Sequence, residues 1–301
     1  MKYIFILNPA AGKNKAALSF IPKIQKAFKD NGGNYEIHIS LSGDDITEYV
    51  KNLPDSESYR IYAFGGDGTL SNVVNGCVYR DNIEVGVFPM GTGNDFIKAF
   101  DVSKELFLDL EAQINGSSRP VDLIRYEDKY CINMCNMGFD ARVAIDMPNF
   151  KKLPLVSNKA AYNLALAKHL TRKLSRYIEV TADGKPVFSG EAVFCCAGNG
   201  ISAGGGYYMT PKAKVDDGLI DICIVRQPSY LKLLKFMKAI ESGTHVEDPV
   251  TKDYVTYLKC TSFSVKARES LALVNDGDGE YITEMSFGVA PLAVKFIIPK
   301  R

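Results

Sequence analysis

Arg60-Ile61-Tyr62-Ala63-Phe64-Gly65-Gly66-Asp67-Gly68-Thr69-Leu70 is the stretch on which the reading of this 301-residue chain turns. Five strand-forming residues run into Gly-Gly-Asp-Gly-Thr, and a helical pattern follows through Asn72, Val73, Val74 and Cys77. A strand that ends in glycines and opens a helix presents bare backbone N–H groups and a helix N-terminus, which together favour an anion such as phosphate. Asp67 does not suit a bare phosphate loop, because its charge would repel the ligand. A carboxylate belongs there if it holds Mg²⁺ or orders the water around it. The plainer alternative is a strand-turn-helix corner with Asp67 as N-cap.

Two neighbouring strands end in the same way. Lys2 to Leu7 is an apolar strand followed by Asn8-Pro9-Ala10-Ala11-Gly12-Lys13, and Ile83 to Phe88 runs into Pro89-Met90-Gly91-Thr92-Gly93-Asn94-Asp95-Phe96. Between them lie a helix carrying Leu18, Ile21, Ile24, Ala27 and Phe28 on one face, a strand over Tyr35 to Ser40, and a helix over Asp44 to Leu53. Pro22 requires that the first helix either starts near Ser19 or kinks. Alternating strand and helix predicts a parallel sheet wound on both faces, with ligands outside the carboxyl ends of its strands. Three glycine loops at strand ends therefore converge on one expected nucleotide site.

After a helix over Ser103 to Asn115 the pattern changes to strands: Tyr130 to Asn136, Tyr177 to Ala182, Val187 to Cys196, Leu219 to Val225, Tyr254 to Val265, Ser270 to Val274 and Ala293 to Ile298. Asp183-Gly184 marks a hairpin turn. Helices are expected over Ser157 to Ser175 and Ser229 to Ser242. The fold class is thus α/β plus β. A doubly wound parallel-sheet nucleotide domain spans residues 1–122, with 292–301 returning to it, and an antiparallel β-sandwich spans 123–291. Asp276, Asp278 and Glu280 crowd one predicted turn, readable as a solvated hairpin tip or as a catalytic acid cluster.

Composition narrows the function. Lys+Arg (36) nearly balance Asp+Glu (35), so no overall field draws the chain to nucleic acid or to an anionic membrane. No apolar run is long enough to span a bilayer. The short apolar run at the start reads as a strand and not as a signal peptide. Seven cysteines, odd in number and mostly in apolar runs, read as core thiols in a reducing compartment, the cytoplasm. Neither Cys131-x-x-x-Cys135 nor the three histidines have metal-site spacing. A Walker-type loop and a Ser-His-Asp arrangement are both missing from the sequence, which disfavours P-loop and hydrolase chemistry.

Taken together, Asn8-Pro9-x-x-Gly12, Gly65-Gly66-Asp67-Gly68-Thr69, Gly91-Thr92-Gly93-Asn94-Asp95 and Pro211-x-Ala213-x-x-Asp216-Asp217-Gly218-Leu219 occur in the order and rough spacing of the diacylglycerol kinase catalytic-domain family. The chain resembles its soluble bacterial lipid kinases over essentially its whole length, with relations to sphingosine kinases and, through Gly-Gly-Asp-Gly-Thr, to NAD kinases. The resemblance implies ATP and Mg²⁺ as cofactors. It implies that Asn8, Pro9, Ala10, Ala11 and Gly12 cradle ATP together with Gly65, Gly66, Asp67, Gly68 and Thr69, beside Thr92, Asn94 and Asp95. Ser40 takes a family threonine position near the nucleotide, although its spacing to Gly43 is one residue short. Asp67 works with the ATP-bound Mg²⁺, and Asp122 matches an acidic position of the same network. A second, structural Mg²⁺ is implied at the Asp217 carboxylate and the carbonyls of Lys214 and Leu219.

The family's general base is a Glu following Asp-Gly, which Glu280 matches after Asp278-Gly279. The doubled Asp-Gly permits a second register with Asp278 as base. The implied catalytic residues are thus Glu280, Asp67 and Asp122, and the implied reaction is phosphorylation of diacylglycerol to phosphatidic acid. Phosphatidylglycerol, a sphingoid base, ceramide or NAD are alternative acceptors, and a non-catalytic nucleotide- or lipid-binding relative is the alternative class. The expected partner is a lipid at a membrane surface, touched reversibly, with no nucleic acid; a homodimer is left open. The basic, partly apolar stretch Phe150 to Leu155, with Lys159, Lys168, Arg172, Lys173 and Arg176 beyond it, is the expected contact.

Overall fold

The structure is a computed structural model that describes residues 1–12, 16–151, 158–170 and 173–300. It contains two compact units. The first is Met1–Leu123 with Val215–Gly218 and Ala290–Arg301, and the second is Ile124–Lys214 with Leu219–Val289.

In the first unit the chain runs β1 (Lys2–Leu7), α1 (Ile21–Asn31), β2 (Asn34–Ile39), α2 (Gly43–Lys51), β3 (Tyr59–Gly65), α3 (Asp67–Asn75), β4 (Ile83–Pro89), α4 (Lys104–Phe107) and α5 (Leu110–Ile114). The four strands pair in parallel in the order β2-β1-β3-β4. Period-two alternation gives the sheet two different faces. Phe5, Leu7, Tyr62, Phe64 and Phe88 pack with Ile24 and Phe28 of α1 on one face, with Phe64 and Phe88 stacked at 4.0 Å. Ile4, Ile6, Ile61 and Ala63 are buried on the other, where α3 packs on β3 and β4. Pro22 sits in the first turn of α1, where its missing N–H has no helical partner to lose. The helix expected over Ser103 to Asn115 is two short ones, because the Asp109 side chain accepts the N–H groups of Glu111 and Ala112 and starts a second helix.

β5 (Ser117–Tyr126) leads into the second unit, which holds β6 (Lys129–Cys131), β7 (Met134–Gly138), α6 (Phe139–Lys151), α7 (Asn158–Leu170), β8 (Arg176–Ala182), β9 (Lys185–Gly198), β10 (Ile220–Arg226), α8 (Tyr230–Glu241), β11 (Val255–Cys260), β12 (Ser262–Asn275) and most of β13 (Asp278–Ile298). Its strands are antiparallel, and the long ones serve two neighbours. The first half of β9 pairs β8, and its last residues pair β10 and β7. β12 pairs β8 through Phe263–Ala267 and β7 through Leu273–Asn275. Ile178, Val180, Ile222, Val265, Phe263 and Phe287 fill the sandwich core, the last two stacked at 4.5 Å. Phe236 and Ile240 of α8 cover a second cluster, and Ala141 and Ile145 of α6 pack on Ala272 and Val274. The end of β13 runs parallel to β4 through Lys295 and Phe296 in the first unit. All seven cysteines are buried and free.

Three expectations are corrected, and one further helix is found. The strand read as Tyr130 to Asn136 is two, β6 and β7, broken where the Asp276 carboxylate takes the N–H groups of Ile132 and Asn133. The strand read as Tyr254 to Val265 is two, β11 and β12. The Asp183 side chain in the β8–β9 turn accepts from the N–H groups of Thr261 and Ser262 and pins the break between them. α7 spans Asn158–Leu170 and does not reach Ser175, since 173–175 are not helical and β8 begins at Arg176. α6 was not anticipated: it carries Pro148 and lacks a clean apolar stripe, so its sequence has no strong helical period.

Candidate active site

Four parallel strands bring their carboxyl ends together in the first unit, and the loops there hold one another by side-chain hydrogen bonds and close backbone contacts. Asn8 donates from Nδ2 to Thr69 Oγ1 (3.1 Å) and accepts the Ala10 N–H on Oδ1 (2.9 Å), so the turn Asn8–Gly12 is tied to the start of α3. Pro9 and Ala10 form the open side of this turn, and Ala11 closes it by donating to the Asn8 carbonyl. The Gly66 carbonyl accepts the N–H groups of Thr69 and Leu70, and the Gly65 carbonyl accepts that of Met90. Gly66 and Gly91 meet back to back: a Cβ on Gly91 would lie 2.5 Å from the Gly66 Cα. No other residue type permits that approach. Gly68 and Thr92 are exposed at the rim.

Asp67, the first residue of α3, accepts the N–H groups of Asp95 (2.9 Å) and Phe96 (3.3 Å) on Oδ1. Burial, and then the charge of nearby Asp95, raise its carboxyl above the usual range, against the pull of these amides. Asp95 is buried and paired with Lys98 (2.6 Å), a residue that the sequence reading missed although it stands three positions on. Asn94 closes its own loop, accepting the Gly91 N–H (2.8 Å) and donating to the Gly91 carbonyl (2.7 Å) at φ +49°. Asn94 and Asp95 thus shape the loop, with both polar backbone groups of Gly91 taken by Asn94, while the backbone N–H groups of Gly66, Gly68 and Thr92 face no such partner among the described residues. Ser40, at the end of β2, is buried with its N–H and hydroxyl directed to the Leu7 carbonyl.

Asp122 is fully buried, and each of its oxygens accepts a backbone N–H at 2.7 Å, one from Gly218 and one from Leu292. It ties three remote segments of the first unit together. Burial raises its carboxyl, and Asp217 and Asp216 add to the shift. This concentration of acid suits a cation, as does the donor chemistry of the exposed Asp217 carboxylate and the Lys214 and Leu219 carbonyls that flank it in sequence: all are hard oxygens. Asp67 beside Asp95 fits Mg²⁺ for the same reason. Among the described residues no group of three His, Cys, Asp or Glu side chains is placed to hold a metal.

In the second unit the acid cluster divides. Asp276-Gly277 is the two-residue turn between β12 and β13, with φ of +45° and +107°. The Asp276 carboxylate faces inward and accepts the N–H groups of Ile132 (2.7 Å), Asn133 (3.1 Å) and Met134 (3.2 Å). Asp278 and Glu280 lie beyond the turn on β13, opposite Asn275 and Leu273, and both are exposed. Of the expected membrane stretch, 152–157 and Arg172 lie outside the described residues. Lys168 is paired with Asp146 (2.6 Å), Lys173 with Glu191 (2.8 Å) and Arg176 with Glu269 (3.6 Å).

Residues 2–126 match the diacylglycerol kinase catalytic domain, and residues 133–298 match the YegS C-terminal NAD kinase beta sandwich-like domain. The chain belongs to the diacylglycerol kinase catalytic-domain family. It is 31% identical to a Shewanella frigidimarina protein described as "Probable lipid kinase YegS-like", over 91% of this chain and 87% of that one. It is 29% identical to the diacylglycerol kinase of Bacillus subtilis, over 91% and 88%. A diacylglycerol kinase from Bacillus anthracis has the same fold, with a TM-score of 0.71 at 20% identity over 98% of this chain and 96% of that one. An ATP-bound NAD kinase from Archaeoglobus fulgidus is a more distant structural neighbour, with a TM-score of 0.55 at 11% identity over 100% and 94%. By family this chain is an ATP-dependent lipid kinase. No helix among its described residues is long and apolar enough to cross a membrane.

Proposed function

We propose that this lipid kinase transfers the γ-phosphate of ATP to the free hydroxyl of diacylglycerol, yielding phosphatidic acid. The observation that carries the reading is the back-to-back approach of Gly66 and Gly91 beside the desolvated Asp67. Two bare loops and a carboxylate at one end of a parallel sheet are what phosphoryl transfer asks of a protein, namely positioning and charge control. The names of the Bacillus relative and of several staphylococcal ones at 29–30% identity support diacylglycerol as the acceptor.

The loops Asn8–Gly12 and Gly65–Thr69, with Thr92, hold the phosphates, and the donors they offer are the backbone N–H groups of Gly12, Gly66, Gly68 and Thr92, since those of Asn8, Ala10, Ala11 and Thr69 are spent inside the loops. Asp67, its Oδ1 fixed by the Asp95 and Phe96 amides, is the residue that would hold Mg²⁺, through its other oxygen. When bound, the ion neutralises charge on the phosphate oxygens. Glu280 accepts the hydroxyl proton as the lipid oxygen forms its bond to phosphorus and ADP departs. An exposed carboxylate with no hydrogen bond or ion pair among the described residues is free to take that role. Asp122 positions the Val215–Gly218 segment, in which Asp217 would hold a second Mg²⁺ with the Lys214 and Leu219 carbonyls. Contact with the lipid surface is brief and reversible, helped by Leu164 and Leu170, each 42% exposed on α7.

The test is transfer of label from γ-labelled ATP to a panel of acceptors: diacylglycerol, phosphatidylglycerol, sphingosine and ceramide in mixed micelles, and NAD in solution. Label in phosphatidic acid is expected. Transfer confined to another acceptor would overturn the substrate assignment, and no transfer to any would overturn the activity.

A further inference from the structure

The turn that follows β2 is held by a chain of side chains for which neither the sheet nor α2 has an evident need. Ser42 caps α2 by accepting the Asp45 N–H on its hydroxyl (3.1 Å), which is all that an ordinary strand-to-helix corner requires. Beyond this, Asp45 Oδ2 accepts two further bonds, from the Leu41 N–H (3.0 Å) and from His38 Nε2 (2.8 Å). The His38 ring stacks on Tyr49 at 4.1 Å with the planes 18° apart. The Tyr49 hydroxyl donates to Glu36 Oε1 (2.6 Å), and Lys2 donates to Glu36 Oε2 (2.6 Å). The Leu41 and His38 bonds hold the Asp45 carboxyl below the usual carboxylate range, the Leu41 N–H contributing most. The network lies near the surface, where charged pairs contribute little to folding stability. Its geometric effect is specific: Ser40 is fixed through the Leu7 carbonyl, Leu41 through Asp45 and Ser42 through the cap. The turn is therefore anchored at three successive residues, through the backbone at Ser40 and Leu41 and the hydroxyl at Ser42, while the Leu41 side chain stands 91% exposed.

This turn lies at the same end of the sheet as the glycine loops. The strand order β2-β1-β3-β4 puts it next to Asn8–Gly12 and two strand spacings, about 10 Å, from Gly65–Thr69. A nucleotide whose phosphates sit on the glycine loops extends its nucleoside over that distance. We propose that Asp45 and His38 are positioning residues for the nucleotide: they pre-set the Ser40–Gly43 turn so that its ordering is complete before ATP arrives. Pre-organisation of this kind acts on affinity and leaves the chemical step alone. The inference rests on the kinase reading above and adds to it a role for residues that touch neither phosphate nor lipid.

The test is calorimetric titration with Mg·ADP, together with separate KM values for ATP and diacylglycerol, on wild type, Asp45→Ala, Asp45→Asn and His38→Ala. Asp45→Ala loses a charged acceptor from two bonds and should weaken ADP binding and raise the ATP KM about tenfold, with kcat and lipid KM near wild type. Asp45→Asn keeps an acceptor for the Leu41 N–H and should recover most of that loss. His38→Ala should fall between the two, and it serves as the test if Asp45→Ala does not fold. Unchanged ADP affinity in folded Asp45→Ala or His38→Ala would overturn the proposal, as would equal losses in kcat and in both KM values. A wild type that binds no ADP would overturn the kinase reading itself.

Discussion

Asp67 in the first unit and Asp276 in the second are each followed by glycine, and each reaches backbone N–H groups of a segment remote in sequence. Asp67 takes two, from Asp95 and Phe96, through a single oxygen. Asp276 takes three, from Ile132, Asn133 and Met134, and uses both oxygens. The surroundings separate them. Asp67 opens a helix at the end of a parallel strand, among bare glycine loops, where burial and then a second buried acid raise its carboxyl. Asp276 occupies a hairpin turn, in a left-handed conformation that Asp tolerates. In the proposed mechanism the Asp67 carboxylate keeps an oxygen for a ligand, whereas that of Asp276 has both oxygens engaged in holding the chain. The dipeptide alone does not distinguish the corner proposed as reactive from the structural one, and the lone pairs left over do.

The largest effect should come from removing the charge at the reactive corner. Asp67→Asn keeps an acceptor for the Asp95 and Phe96 amides, so the loop survives, but phosphoryl transfer should fall by about 10³ or more. Steady-state rates at saturating ATP and lipid check this, and a loss of only a few-fold would place the two corners in the same structural class. Next in size is Glu280→Gln, expected to lower kcat by about 10² through loss of the proton acceptor. Asp278→Asn should leave kcat within a few-fold, and the reverse order would move the base to Asp278.

Asp276→Asn keeps the turn but leaves backbone amides with too few acceptors, which should cost about 2 kcal/mol of stability. A lowered urea midpoint with kcat near wild type is the expected signature. The smallest effect is a pH dependence. The folded pKa of Asp67 is raised, so ionising it opposes folding. That penalty is missing below the unfolded value near pH 3.9 and complete once pH exceeds the folded value. Asp67→Asn should therefore melt slightly above wild type at pH 7 without Mg²⁺, and the gap should close as pH falls toward 4. A gap that widens on acidification would contradict the sign.

Much of the first unit was legible because its signals are local. The strands that end at Leu7, Gly65 and Pro89 are apolar runs leading into glycine-bearing loops, and parallel order follows from their alternation with helices. What the sequence could not display is which polar atoms meet. Asn94, expected at the nucleotide, closes on Gly91, and Lys98, three residues after Asp95, is its counter-ion. The role of Asp122 depends on Gly218 and Leu292, both remote along the chain. In the second unit β11 and β12 merge in a period-two reading, since the break between them is imposed by Asp183 from another hairpin. α6 escapes for the opposite reason: Pro148 and a mixed face conceal a helix that tertiary packing on Ala272 and Val274 supports.

The split between the two Asp-Gly corners is tested most directly by the Mg²⁺-dependent part of nucleotide stabilisation. Melting of wild type, Asp67→Asn and Asp276→Asn would be followed with a non-hydrolysable ATP analogue, once with Mg²⁺ and once with EDTA, since ligand bound only to the folded state raises the midpoint. Each pair is also run without nucleotide, to subtract the shift from the Mg²⁺ proposed at Asp217; beyond that baseline, wild type and Asp276→Asn should gain the same extra shift with Mg²⁺, the variant from a lower starting point, and Asp67→Asn should gain none. An equal Mg²⁺ gain in Asp67→Asn, or its loss in Asp276→Asn, would contradict the assignment of the reactive carboxylate to Asp67.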